Sequence, residues 1–161
     1  MGVIRSPKNV CLISALCFKD ENVKDSVWSQ LVDTYGAIHQ CSKTIAFTHT
    51  SYYDDEMGSG INKVYIAFKK FIDPAQLADI KIRTNEIEDQ LSQQGRRTIN
   101  IDPGYIEVAK LILASTKNFS HRIYIGKGIY GDVQLYWQNG EFQSNPWTYP
   151  DYKEKDIKSF F

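Results

Sequence analysis

The stretch KVYIAFKKFIDPAQLADIKIRTNEIEDQLSQQGRRTINI, residues 63–101, reads continuously as strand, helix and strand. Residues 63–71 alternate Val64, Ile66 and Phe68 against Tyr65, Ala67 and Lys69, the period of two expected of a strand. Asp73 then stands as a helix cap, Pro74 takes the first helical position, and Gln76 completes a capping-box-like spacing. Leu77, Ile80, Thr84, Ile87 and Leu91 keep the three-four rhythm of a buried stripe, with Gly95 as the stop. Residues 97–101 resume as a strand.

Upstream the same grammar repeats. Val10–Phe18 is an unbroken apolar run of the kind that forms a strand buried on both faces. Asp20 or Asn22 caps a helix whose apolar positions are Val23, Val27, Leu31 and Tyr35, ended by Gly36. Residues 36–43, with His39, read as surface, and residues 44–48 as a short strand. The order of strand, helix, strand, strand, helix, strand predicts an α+β fold with a ferredoxin-like βαββαβ core. Beyond Gly104, residues 105–115 fit either a strand or a short helix begun at Asp102 and Pro103. Residues 121–126 and 129–137 read as strands, and Asn139-Gly140 is a hairpin signal leading into residues 141–143. A C-terminal antiparallel β extension follows, and Phe160-Phe161 either packs back on the body or frays.

A chain of 161 residues is the size of one domain, residues 1–161, with 1–8 as a flexible start. Nineteen basic residues balance nineteen acidic ones, so no global field draws nucleic acid or an anionic membrane. Cys11, Cys17 and Cys41 are odd in number and lack a CxxC spacing, which argues against a disulfide framework and a zinc site. No stretch approaches the roughly 18 apolar residues of a membrane span, and the start lacks a signal-peptide core. The expectation is a cytoplasmic protein with no membrane partner, monomeric or homodimeric.

Residues 120–130, SHRIYIGKGIY, place His121, Arg122 and Lys127 in a run that otherwise reads as strand. Alternation sends His121 and Arg122 to opposite faces unless a bulge intervenes. An arginine fork suits phosphate or carboxylate, and a histidine suits acid–base work. Gly126-Lys127-Gly128 reads either as an anion-holding nest or as a hairpin turn. Neither a P-loop nor a GxGxxG element is present. Along the second helix, Lys81, Asn85 and Glu88 form one row, of a kind that is mostly solvated. The acids Asp54, Asp55 and Glu56 lack the spacing of a defined cation loop, and His39, His49 and His121 form no HxxxH or HxH pair, so no metal centre is expected. No GxSxG element occurs, and Cys11 and Cys17 fall in a core strand rather than at an exposed nucleophile position.

The motifs Tyr52-Tyr53 with Glu56-Met57-Gly58, Ile72-Asp73-Pro74 with Ile80-Lys81 and Thr84-Asn85-Glu86, and Asn100-Ile101-Asp102-Pro103-Gly104-Tyr105 span the first two-thirds of the chain. Ser120-His121-Arg122-Ile123-Tyr124, Gly126-Lys127-Gly128-Ile129-Tyr130 and Pro146-Trp147-Thr148-Tyr149-Pro150-Asp151-Tyr152 complete the pattern. Together they resemble the bacterial and archaeal family catalogued as domain of unknown function 4416. Ser51 stands where that pattern leads one to expect an aspartate. The resemblance implies relatives without a reaction.

Two functional readings follow. In the first, Arg122, Lys127, Asn85, Tyr53 and Thr148 bind a phosphorylated or carboxylated small molecule or a nucleotide, while one of the candidates His121, Glu86 or Asp102 supplies acid–base chemistry if the pocket is enzymatic. In the second, Tyr124, Tyr130, Tyr136 and Trp147 form a stacking platform of a non-catalytic RNA- or protein-binding module. The sequence names no cofactor.

Overall fold

The computed structural model describes residues 2–48 and 57–161. Among these, nine strands form one sheet in which every pairing is antiparallel. They are β1 (Val10–Phe18), β2 (Ile38–Cys41), β3 (Ile45–Ala46), β4 (Asn62–Ile72), β5 (Ile99–Ile106), β6 (Lys110–Ser115), β7 (Arg122–Gly126), β8 (Ile129–Gln138) and β9 (Glu141–Ser144). Their order is β2-β4-β1-β5-β6-β8-β7, with β3 beside β4 and β9 beside β8. The helices are α1 (Glu21–Tyr35), α2 (Leu77–Leu91) and the short α3 (Lys155–Phe160). The class is α+β with a large antiparallel sheet. Its nine strands exceed the four of the expected core.

β1 is buried on both faces, as its unbroken apolar run requires. Leu12 and Leu16 pack with Val27 and Leu31 of α1 and Ile80 and Ile87 of α2, so both helices cover one face. Ile13 and Ala15 point the other way, against Tyr65, Tyr152 and Ile157. Local signals set the helix starts: Asp20 accepts the N–H of Asn22 at 2.8 Å, and Asp73 accepts that of Ala75 at 2.9 Å while Gln76 accepts the N–H of Asp73. α2 follows a 3-10 turn at Pro74–Gln76 and ends at Leu91, short of Gly95. Ser92 closes it by donating to the Asp89 carbonyl, and Gly95 serves the next turn at φ 74°.

Some expectations are corrected, and others are decided between their alternatives. Residues 36–43 contain the edge strand β2, whose His39, Gln40 and Cys41 are exposed. The short strand expected over residues 44–48 is reduced to Ile45–Ala46. β5 runs on through Asp102, Pro103 and Gly104, and the ambiguous residues 105–115 are its end plus β6. Phe161 packs back, stacking on Tyr152 and meeting Tyr65 edge-on.

In the extension, β8 is longer than either neighbour on its outer side: Ile129 to Asp132 pair with β7, and Leu135 to Gln138 pair with β9. Residues 145–149 fill the gap between those pairings. Asn145 Nδ2 and Trp147 Nε1 donate to the Val133 carbonyl, Thr148 Oγ1 to that of Gln134, and the Tyr149 N–H to Gln134 Oε1. The Pro146 to Tyr152 motif is thus a plug, and it carries Tyr149 to Arg122 and Asp151 to Lys63. Asp151 meets the buried Lys63 at 2.6 Å and accepts from the Tyr65 hydroxyl.

Candidate functional site

A cleft opens where the sheet parts. β5 and β6 pair only over Gly104↔Leu113, Tyr105↔Ile112 and Ile106↔Leu111. The reason lies in two adjacent residues. Pro103 has no N–H to continue the ladder. Gly104 lets the strands come together where they do, since a Cβ there would sit 2.3 Å from the Ile112 carbonyl oxygen. On the open side of Pro103, side chains of α2 replace the missing strand: Ile101 donates its N–H to Glu88 Oε1 at 2.6 Å, and its carbonyl accepts from Lys81 Nζ at 2.8 Å. Lys81 and Glu88 are two helical turns apart and therefore on one face. Both are buried, which corrects the reading of their row as solvated.

The cleft holds about 280 Å³. On its α2 and β5 side, Lys81 Nζ lies 3.5 Å from Asp102, Asn100 donates to Asp102 at 2.7 Å, and Arg97 donates to Asn100 at 2.7 Å and lies 3.4 Å from Glu88. Burial pushes the Glu88 carboxyl up to about 7, against the pull of Lys81, the Ile101 N–H and Arg97. Glu88 therefore exchanges a proton near neutral pH. On the other side, Arg122 donates from Nε to the buried Asp132 at 2.8 Å, from Nη1 to Ser115 Oγ and the Lys117 carbonyl, and from Nη2 to the Tyr149 hydroxyl. Burial raises the Tyr149 phenol, with Arg122 pulling it back.

Of the residues singled out from sequence, Asp102, Asn85 and Arg122 line this cleft together. His121 stands behind the lining: its Nε2 is 3.4 Å from the oxygen of Asp132 that Arg122 also holds, and its ring stacks on Trp147 at 4.9 Å. Alternation did not keep His121 and Arg122 apart because His121 belongs to the turn before β7. Glu86 is exposed and paired with Arg83, Lys127 is exposed and paired with Asp79, and Thr148 is buried within the plug, so none of the three lines the cleft. Gly126-Lys127-Gly128 is the β7–β8 hairpin turn, and its Gly128 N–H donates to Tyr124. Tyr53, with His49 and the acids Asp54, Asp55 and Glu56, lies outside the described residues. Of the platform aromatics, Tyr124 stands edge-on to Tyr130 and Trp147 stacks on His121.

Sequence reasoning passed over Lys81, Glu88, Arg97, Asn100, Asp132 and Tyr149 as site residues. Lys81 and Glu88 carry a legible signal, since each directly follows a stripe position, Ile80 and Ile87. Asp132 carries another, a carboxylate inside an apolar strand. Among the described residues no group of three or more His, Cys, Asp or Glu side chains is placed to hold a metal ion.

A protein-family model described as Domain of unknown function (DUF4416) matches residues 8–161, in agreement with the motifs quoted above. No curated protein and no solved structure matches the chain.

Proposed function

We propose that this chain, which belongs to the DUF4416 family, uses the cleft between β5 and β6 to bind a small molecule carrying a phosphate or carboxylate group. The observation that carries this reading is the lining, where Lys81, Arg97, Lys117 and Arg122 surround a concave space opened by the parting of the sheet. Glu88, Asp89, Asp102 and Asp132 balance them. That equality suits a molecule with an anionic group at one end and hydroxyl or amino groups at the other. At about 280 Å³ the cleft lies just below the roughly 300–1,000 Å³ span of ligand sites, so a small metabolite fits it better than a whole nucleotide.

Roles within this proposal follow from the geometry. Arg122 already makes four hydrogen bonds and acts as a positioning residue that fixes Asp132, Ser115 and Tyr149. Lys81 and Lys117 contribute the anion-holding charge. Glu88, titrating near neutrality beside Asp102, is the group equipped to move a proton on a bound molecule. The first hundred residues are read in the same proposal as a ferredoxin-like unit, supported by the order β2-β4-β1-β5 with α1 and α2 on one face. A cytoplasmic setting accords with three free cysteines. The RNA- or protein-binding alternative is supported by exposed Ile123 and Tyr124 on the edge strand β7, and weakened by zero net charge.

Isothermal titration with inorganic phosphate and with small phosphorylated and carboxylated compounds tests the reading. Binding of at least one, weakened about tenfold in Lys117→Ala, is the expected result; a tenfold change is about 1.4 kcal/mol, close to the weaker end of what one charge-assisted hydrogen bond contributes. A folded protein that binds none of them would refute it.

A further inference from the structure

We infer that the molecule held in the cleft bears a hydroxyl beside its anionic group, and that Asp132 accepts the hydrogen bond of that hydroxyl through Oδ1. This rests on the cleft reading above and narrows it to hydroxylated phosphates and carboxylates. Asp132 lines the cleft and is 1% exposed. Its Oδ2 meets Arg122 Nε at 2.8 Å and His121 Nε2 at 3.4 Å. Among the described residues its Oδ1 has no hydrogen-bond partner. A buried acceptor left without a donor is costly, and folded proteins fill nearly all such positions.

The surroundings decide what fills it. Arg122 supplies the counter-charge to Asp132, so the need at Oδ1 is for a donor rather than for a second cation. An ammonium there would also stand near the guanidinium, and like charges repel. Two hydroxyls of the cleft lining add a second criterion. Ser115 Oγ accepts from Arg122 Nη1 and the Lys117 N–H, and the Tyr149 hydroxyl accepts from Arg122 Nη2, so each has its own proton to give. A ligand hydroxyl donates to Oδ1 and has lone pairs to accept such a proton in return, whereas an ammonium has none. Arg122 thus fixes the carboxylate, and Asp132 sets which ligand is accepted. The class of ligand is a small hydroxy acid or polyol phosphate, short enough for a cleft of about 280 Å³.

The test is calorimetric titration of the full chain with probes matched in pairs, glycerol 3-phosphate against propyl phosphate and glycerate against propionate, together with 3-aminopropyl phosphate. At least one hydroxylated probe is expected to bind about tenfold or more tighter than its hydroxyl-free partner, since a site built to pair a hydroxyl penalises the analogue that lacks it. In Asp132→Ala the members of that pair should converge, with circular dichroism verifying the fold. Asp132→Asn, closer in shape, should narrow the same gap if the alanine variant does not fold. Equal affinities within both pairs in the unsubstituted protein would overturn the hydroxyl seat while leaving the cleft reading intact. An advantage unchanged by substitution of Asp132 would assign the hydroxyl to another group, and tighter binding of 3-aminopropyl phosphate than of glycerol 3-phosphate would put an amine in its place; either result overturns the inference. Failure of every probe to bind would overturn both readings.

Discussion

Glu88 of α2 accepts the backbone N–H of Ile101 in β5 at 2.6 Å, so a helix side chain stands where the next strand of the sheet would. Lys81 does the same for the carbonyl of that residue. Backbone groups left unpaired by the parting of β5 and β6 would otherwise face a polar cavity without fixed partners. One pair of side chains thus solves a folding problem and charges a cleft. This is why Glu88 is both buried and titratable near neutrality.

The first prediction concerns that titration. Folding raises the Glu88 carboxyl from its ordinary 4.5 to about 7, so the folded state holds the proton more tightly than the unfolded state. The resulting stabilisation is fully present below about pH 4.5 and is lost as pH rises through about 7. Each unit of this interval corresponds to about 1.4 kcal/mol, so the total is a few kcal/mol. Urea midpoints of the natural protein and Glu88→Gln at pH 5 and pH 8 check it. The natural protein should lose stability relative to the variant between those values, and a constant difference would mean that Glu88 does not titrate in this range.

Gly104→Ala probes the point where the strands meet. Its Cβ would face the Ile112 carbonyl oxygen at 2.3 Å and Leu113 Cδ2 at 2.7 Å, and the former contact is with backbone that cannot rotate away. Overpacking of this kind costs about 1–3 kcal/mol. Hydrogen exchange should show faster opening of the Tyr105 and Ile112 amides, with β1 and β4 much less affected. Uniform protection across all strands would contradict the role assigned to this glycine.

The sequence made the helices legible because their signals are local. The cap at Asp73, Pro74 and the stripe Leu77, Ile80, Thr84, Ile87 and Leu91 are all read within one turn or two. The hairpin at Asn139-Gly140 was equally plain, with both residues at positive φ. The parting of the sheet was not, because it depends on which residues of β6 face β5, a nonlocal register that alternation does not specify. Pro103-Gly104 marked the place without revealing its consequence. The same limit hid the roles of Lys81 and Glu88, whose burial follows from facing an unpaired strand edge. Asp102, Asn85 and Arg122 were legible as polar groups in structured segments, and Glu86 and Lys127 shared that signal without reaching the cleft.

Asp151→Asn tests the plug on the other face of the sheet. Lys63 and Asp151 are both almost fully buried, and the substitution would leave the ammonium without its counterion. Removing one partner of a buried pair costs about 3–5 kcal/mol. For a domain of this size that lowers the melting midpoint by roughly 10 °C. Replacing both members, as Lys63→Met/Asp151→Leu, should recover much of the loss, since the charge left unpaired is what destabilises. Scanning calorimetry of the single and double variants measures this directly. A double variant less stable than Asp151→Asn would show that the ion pair itself, and not the orphaned charge, dominates.

Arg122→Lys separates positioning from charge. The guanidinium joins Asp132 of β8, Ser115 of β6, the Lys117 carbonyl and the Tyr149 hydroxyl, four acceptors in different directions that one ammonium cannot satisfy together. Asp132 is buried and among the described residues its second oxygen has no hydrogen-bond partner, so it depends on what meets the first. The lysine variant keeps the positive charge yet should lose about 2 kcal/mol or more of stability, in line with a disrupted buried charge network. Arg122→Ala should lose more, since among the described residues His121 is then the one basic side chain left at ion-pair distance from the buried carboxylate. Arg122→Ala/Asp132→Asn, which removes the carboxylate as well, should be more stable than Arg122→Ala alone. Chemical denaturation of the three variants orders them. If Arg122→Lys matches the natural protein, the fork geometry is dispensable and Arg122 is better regarded as a simple charge at the cleft.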